Sequence, residues 1–352
     1  MKPGQERPRG LVWRGGDGGW SVRADARGLA AGAVLLLLAL GVAVLLVGTG
    51  DYPMTPAEVL RTLAGNGTRI QEFVVTELRL PRVLVGLLVG LALGVAGAVF
   101  QSVSRNPLGS PDVVGFGQGS AAGALTTIVL LSGGGLAVAA GSVVGGLATG
   151  VAVYLLAWRG GVHGYRLVLV GIGVAAVLSA VNGYLLTRAD IADAARAVLW
   201  LTGSLDGRDW AQFWPLLVAC GLLLPPVLAL GRPLRMLELG DETAAALGVR
   251  VQRTRLLAVL AAVLLTASAT AAAGPVAFVA LASPQLARRL TRAAGPNALP
   301  AGLMGALLTV AADLLAQWAF ADRQLPVGAV TGVLGGGYLL WLLVTERRAG
   351  RV

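Results

Sequence analysis

Ten apolar segments, most of them near the length a helix needs to cross hydrocarbon, constrain this chain before any motif does. They fall at about 29–49, 82–104, 112–131, 134–157, 165–187, 211–230, 255–273, 276–290, 299–319 and 327–345. A bilayer core takes roughly 20 apolar residues per helix, and every backbone polar group inside it must be satisfied internally. Continuous apolar runs, rather than alternating ones, therefore predict an all-α polytopic membrane protein of about ten transmembrane helices. The segment at 276–290 is short and holds Pro284, and the third and fourth are separated by little more than Ser132–Gly135, so the count brackets nine to eleven. The domain plan is a cytoplasmic N-terminal tail over 1–28, a transmembrane domain over 29–346 and a cytoplasmic C-terminal tail over 347–352. Residues 1–28 are arginine-rich and longer than a usual signal n-region, and no small-residue cleavage site follows, so the first span is read as retained.

Charge orients the chain. The 352 residues carry a net charge of +10 but only 13% charged residues. Such an excess reflects topology in a membrane chain, and no basic face with interleaved aromatics suggests nucleic acid. With ten spans, Arg61, Arg69, Arg79, Arg82, Arg188, Arg196, Arg208 and Arg323 fall on one side, and the other 20 of the 28 Lys and Arg fall on the side of the N-terminus. The positive-inside bias then predicts both termini in the cytoplasm of a multi-pass cell-membrane protein.

Several chemistries are excluded by residue supply. Lys2, in the tail, is the one lysine, so a Walker-type phosphate loop has no lysine to use. Cys220 is the one cysteine and His163 the one histidine, which leaves no intrachain disulfide and no Cys/His metal cluster. Neither an enzyme signature nor a cofactor or metal site is expected. Asp313, in "TVAADLLAQWAF", is the acid clearly inside a span. It can serve as a proton site, pair with an arginine or cap a broken helix.

Two stretches interrupt the apolar pattern informatively. "RNPLGSPD" (105–112) packs two prolines, an arginine, an asparagine and an aspartate into a place where lipid cannot accept them, so it marks a surface turn or a break shielded by protein. "RMLELGDETAAALGVRVQRTR" (235–255) holds a short helix over 241–247. Asp241 is read as its N-cap, Glu242 sits in the first turn where the dipole favours acid, and Gly248 is the stop. Seven residues do not make a stable helix alone, so this one docks either on its own protein or on another. "GLALGVAGAVFQSVSRNP" and "AVLLTASATAAAGP" are both small-residue helices ending in proline, each second in a set of five spans. Either two inverted halves or close helix packing accounts for that.

These stretches carry a family resemblance. "LRLPRVLVGLLVGLALGVAGAVFQSVSRNPLGSPDVVGFGQGSAAGA" (78–124), "LVLVGIGVAAVLSAVNGYLL" (167–186), "WLTGSLDGRDW" (200–210), "LELGDETAAALGV", "GPVAFVALASPQLARRL" (274–290) and "LPVGAVTGVLGG" (325–336) resemble, in order, the FecCD family of ABC-transporter permeases.

The resemblance implies a type II importer permease of two inverted five-helix halves, importing ferric siderophores, haem or cobalamin. It would pair with a second copy or a homologous permease, with a cytoplasmic ABC ATPase that uses the ATP, and with an extracytoplasmic binding protein. It makes 241–247 the coupling helix, with Asp241, Glu242, Ala244, Ala245, Leu247 and Gly248 at the ATPase contact, and it makes Arg79 and Arg82 docking residues for the binding protein. The family pattern is broken at Gln285, Gln317 and Gly335–Gly337, and Arg323 is close enough to replace the arginine missing at Gln317. Gln101, Asn106 and Asn182 are polar candidates for the translocation pathway, with helix-to-helix hydrogen bonding as their other role. A siderophore importer is the first expectation, a haem or cobalamin importer the second, and a proton-coupled transporter using Asp313 the third.

Overall fold

The computed structural model describes residues 11–14, 21–24, 26–319 and 325–348. A short antiparallel hairpin, β1 (Leu11–Arg14) and β2 (Ser21–Ala24), lies within the expected tail, with Leu11 opposite Ala24. The rest is helical. The elements are α1 (Ala26–Gly48), α2 (Pro56–Leu63), α3 (Arg69–Phe73), a π-helical turn (Val74–Arg79), α4 (Leu80–Ser104), α5 (Phe116–Val129), α6 (Gly135–Ala157) and α7 (Gly164–Arg188). After them come α8 (Ile191–Leu201), α9 (Trp210–Ala229), α10 (Gly231–Glu238), α11 (Asp241–Ala246), α12 (Val251–Ala273), α13 (Val279–Thr291), α14 (Ala298–Trp318) and α15 (Val327–Arg348).

Ten of these helices answer to the ten apolar segments. Among the described residues, seven are long and apolar enough to cross a membrane: α1, the continuous run Arg69–Ser104, α6, α7, α9, α12 and α14. α15 is apolar over Val327–Trp341. The expected spans at 112–131 and 276–290 are shorter in the structure, because α5 and α13 begin only at Phe116 and Val279 and have 14 and 13 residues. At 1.5 Å per residue that is about 20 Å, well short of a bilayer core of about 30 Å. The cause is local. Pro107 and Pro111 keep 105–115 out of the helix, and Gly274-Pro275 does the same ahead of Phe278. Each half-length helix is third in its set of five, the correspondence that two repeated halves require.

The centre is made by α4 and α12, the most enclosed spans, with 78% and 67% of their apolar windows buried. α4 packs on α14, α12 and α13. Lipid offers no hydrophobic drive for helix pairing, so contact has to come from close packing. Glycines supply it: a methyl group at Gly90 or Gly94 would run into the backbone carbonyls of Gly305 and Ala301. α5 and α6 meet the same way, Gly119 and Gly123 lying flat on Gly145 and Gly141. Both helices thus use a glycine every fourth residue.

Candidate translocation wall and coupling surface

The interrupted stretch after α4 is a built turn. Arg105 ends the helix in the left-handed region (φ 52°), and the Asn106 side-chain oxygen accepts the Leu108 N–H at 2.9 Å. The Asn106 carbonyl then accepts the Gly109 N–H at 3.0 Å. Gln285 of α13 donates to the Pro107 carbonyl at 2.9 Å, and its own oxygen accepts the Tyr338 hydroxyl at 3.4 Å. The glutamine at this family-variant position therefore ties the turn to α13 and α15. At the second departure Gln317 donates to Asp313 at 3.4 Å. At the third, the missing side chain of Gly335 admits the Phe278 ring against the backbone of α15.

The three polar pathway candidates separate. Gln101 is buried and donates to the Leu281 carbonyl at 3.1 Å, so it sits inside the α4–α13 packing and not on an open wall. Asn106 is exposed on the turn, with its oxygen used locally. Asn182 of α7 lies on a cavity of about 580 Å3 whose lining includes Asp112, Gln118, Thr202, Pro275 and Gly328. It donates to the Gln118 side-chain oxygen at 3.0 Å and to the Gln118 carbonyl at 3.2 Å. The non-helical starts of α5 and α13 open onto this cavity, which is where irregular backbone is tolerated at membrane depth. One oxygen each of Asp112 and Asn182 has no hydrogen-bond partner among the described residues.

The arginines expected at the outer surface are held inward. Arg82 makes a two-pronged ion pair with Asp313 (3.0 and 2.8 Å) and reaches Asp206 at 3.3 Å, leaving its side chain 13% exposed. The reason is Asp313, which is 1% exposed and would be a costly lone charge without a cation. Arg82, expected at the outer surface, is thus an internal partner of Asp313 in this structure. Arg79 is half-buried and donates to the Val47 carbonyl at 2.8 Å. Arg323 lies outside the described residues.

At the other end of the molecule, α11 projects between α10 and α12. Gly240, not Asp241, takes the N-cap position (φ 116°), with no side-chain cap. Asp241 fails to cap because Arg255 takes its carboxylate at 2.8 Å, with Arg105 at 3.7 Å and His163 at 3.8 Å nearby. Arg255 is 1% exposed and also donates to the Val162 carbonyl, in the loop between α6 and α7. Gln252 accepts the Val162 N–H at 3.1 Å. The helix ends as its glycine predicts: Gly248 is left-handed (φ 82°), with Val249 N–H bonded to the Ala244 carbonyl and Gly248 N–H to that of Ala245, both at 2.9 Å. Ala244 is fully buried against the protein. Glu242, Ala245, Ala246, Leu247 and Gly248 face outward, and Leu239 and Leu247 are 65% and 56% exposed. Glu238, at the end of α10, accepts Ser102 of α4 at 2.6 Å and meets Arg288 of α13 at 3.4 Å.

Arg255, Arg288 and Glu238 were not singled out by the sequence, which offers no means of pairing them with Asp241, Ser102 and each other.

An α-helical membrane domain whose glycine-bearing α4 packs closely on α14, with two half-length helices around a cavity and an anchored surface helix, is the architecture of a multi-pass membrane protein. The model of the FecCD transport family matches residues 35–345, and the chain belongs to that family. It is 50% identical over 300 residues to the ferric enterobactin transport system permease protein FepG of Escherichia coli (strain K12), covering 85% of this chain and 91% of that one. It is 38% identical to the achromobactin transport system permease protein CbrC of Dickeya dadantii (strain 3937), over 96% and 97% of the two chains. Among solved structures, a metal-chelate type ABC transporter in an inward-facing conformation superposes with a TM-score of 0.82 at 28% identity, covering 90% of this chain and 99% of that one.

Proposed function

We propose that this chain is the membrane-spanning permease of an ATP-driven importer of ferric siderophores, with ferric enterobactin the first cargo to test. The names of the relatives support the cargo class, and the outward face of α11 carries the energetic part. A chain without a Walker lysine takes its energy from a partner, and α11 offers one a small, apolar and acidic face fixed to the core through Asp241 and Arg255. The ATPase docks there, on the cytoplasmic side where both termini lie. An extracytoplasmic binding protein delivers cargo at the opposite face, and a second copy or a homologous permease closes the pathway along the wall that bears Asn182. ATP is used by the partner, and the chain itself holds no cofactor.

The proton-coupled reading loses its footing because both oxygens of Asp313 are engaged by Arg82. The test is uptake of radiolabelled ferric enterobactin by cells dependent on this chain. Uptake that stops on ATP depletion while the proton gradient is clamped supports the importer. Uptake that follows the gradient overturns it. Uptake of haem or cobalamin, with no ferric siderophore, would move the cargo assignment to that class.

A further inference from the structure

The face opposite α11 carries two cavities that run into one another. α6 starts at Gly135 and ends at Ala157, next to the loop that holds Val162 beside Arg255, so Gly135 marks the end of the molecule away from the coupling surface. One cavity there, of about 430 Å3, is lined by Arg196, Ser204, Asp206 and Arg208 among others. The second, of about 460 Å3, is lined by Leu136, Val143, Pro215 and Leu216. They share Gly135, Ala139, Gln212 and Ala271, so they form a single groove with a polar head that bears two arginines and Asp206 and an apolar tail.

The charges at the head are unevenly matched. Asp193 is taken by Arg196 at 3.2 Å, while Asp206, 66% exposed, reaches at 3.3 Å an Arg82 already paired with Asp313. The Asp209 carboxylate caps α9, accepting the Ala211 N–H at 2.7 Å. Arg208 donates its Nε to the Ser204 carbonyl at 3.1 Å, and its two terminal nitrogens carry no hydrogen bond or ion pair among the described residues. Burial pushes the Arg208 guanidinium below its ordinary range, and the two nearby aspartates oppose that shift. An anion seated against it would remove that cost. The tail lies between helices whose neighbouring side chains face outward as a membrane surface does: Leu136 and Val144 on α6 are 83% and 65% exposed, and Trp214 and Val218 on α9 are each 57% exposed.

We infer that this groove holds an anionic phospholipid of the outer leaflet, its phosphate on Arg208 and Arg196 and an acyl chain between α6 and α9. A phosphate suits a guanidinium with two unused donors on one edge. An acyl chain suits a crevice that opens on the lipid-facing surface and is too apolar to hold ordered water. A small ferric chelate would use the head and leave the tail empty.

The experiment is native mass spectrometry of the full chain in detergent, titrated with phosphatidylglycerol or phosphatidylcholine. The expected result is at least a tenfold preference for phosphatidylglycerol, lost in Arg196→Gln/Arg208→Gln, while Ala139→Trp lowers the binding of both lipids by filling the tail. Equal retention of phosphatidylglycerol by the charge variant and the unaltered chain overturns the site. Displacement of phosphatidylglycerol by added ferric enterobactin assigns the groove to cargo instead. Loss of dimer mass in Ala139→Trp, with lipid retention unchanged, assigns it to a second copy. The charge variant alters partly exposed side chains and keeps the core, so its reading does not depend on the tail variant folding.

Discussion

Replacing Arg82 with Met should destabilise this permease more than replacing Arg82 and Asp313 together. In the single variant Asp313 stays 1% exposed with its main countercharge gone, and Gln317 at 3.4 Å offers only a weak donor. Removing one member of a buried pair costs about 3–5 kcal/mol. Arg82 retains 13% exposure, so water can reach part of the vacated site and the lower end, about 3 kcal/mol, applies. That is roughly a hundredfold in the folding equilibrium. In Arg82→Met/Asp313→Leu no charge is stranded, and apolar replacement of a buried pair is often neutral. Asp206 then loses a partner too, but at 66% exposure it is hydrated and its loss is small. The assay is a double-mutant cycle of unfolding free energy in detergent micelles. A single variant as stable as the unaltered chain would refute the claim that Asp313 is a charged, structurally neutralised group. Asp313→Asn, which keeps one acceptor oxygen for Arg82, should retain substantial ATP-dependent uptake, and its abolition in an assembled complex would restore a direct role for the acid.

Three further outcomes concern α11 and α2. Ala245→Arg enlarges an outward-facing position on α11, and overpacking of about 1–3 kcal/mol should cut ATPase co-purification roughly tenfold while the permease stays in the membrane; normal recovery and normal uptake would exclude α11 as the contact. Asp241→Asn leaves the Arg255 guanidinium, 1% exposed, without its anion at 2.8 Å, so cargo-stimulated ATP hydrolysis should fall more than ATPase binding does, as read by comparing the two in proteoliposomes. The Glu58 carboxyl is held below its ordinary value by the backbone and then the hydroxyl of Thr55 in the capping box of α2. Its contribution is present above the ordinary carboxylate range and disappears as pH falls through the lowered value, so the protection of the α2 amides against hydrogen exchange, taken relative to the intrinsic rate at each pH, should fall on acidification, and in Thr55→Ala that fall should shrink.

The helices were legible because lipid leaves a chain few options, and ten apolar runs became ten helices. The two misjudged lengths have one cause: hydropathy does not register that Pro107, Pro111 and Gly274-Pro275 delay the helix inside an apolar stretch. The short helix at 241 was legible through Gly240 and Gly248, which punctuate it. Its anchor was not, because Arg255 lies 14 residues beyond Asp241 and Val162 is contributed from another loop. The partnership of Arg82 with Asp313 spans 231 positions, and a single sequence without internal symmetry in its charges gives no means of pairing them. Asp313 was expected to be a proton site, an arginine partner or a cap, and the fold selects the second.

The tie from α11 through Asp241 and Arg255 to α12 has a thermodynamic corollary. α12 also packs against α4 and α6, so a shift imposed on α11 reaches the helices that enclose the centre. Equilibrium coupling is reciprocal. If nucleotide-dependent docking on α11 alters the affinity of the cavity for cargo by some factor, cargo in the cavity must alter the docking affinity by that same factor. Measuring how strongly a ferric chelate tightens or loosens the ATPase on the intact permease would therefore report the coupling free energy without observing transport.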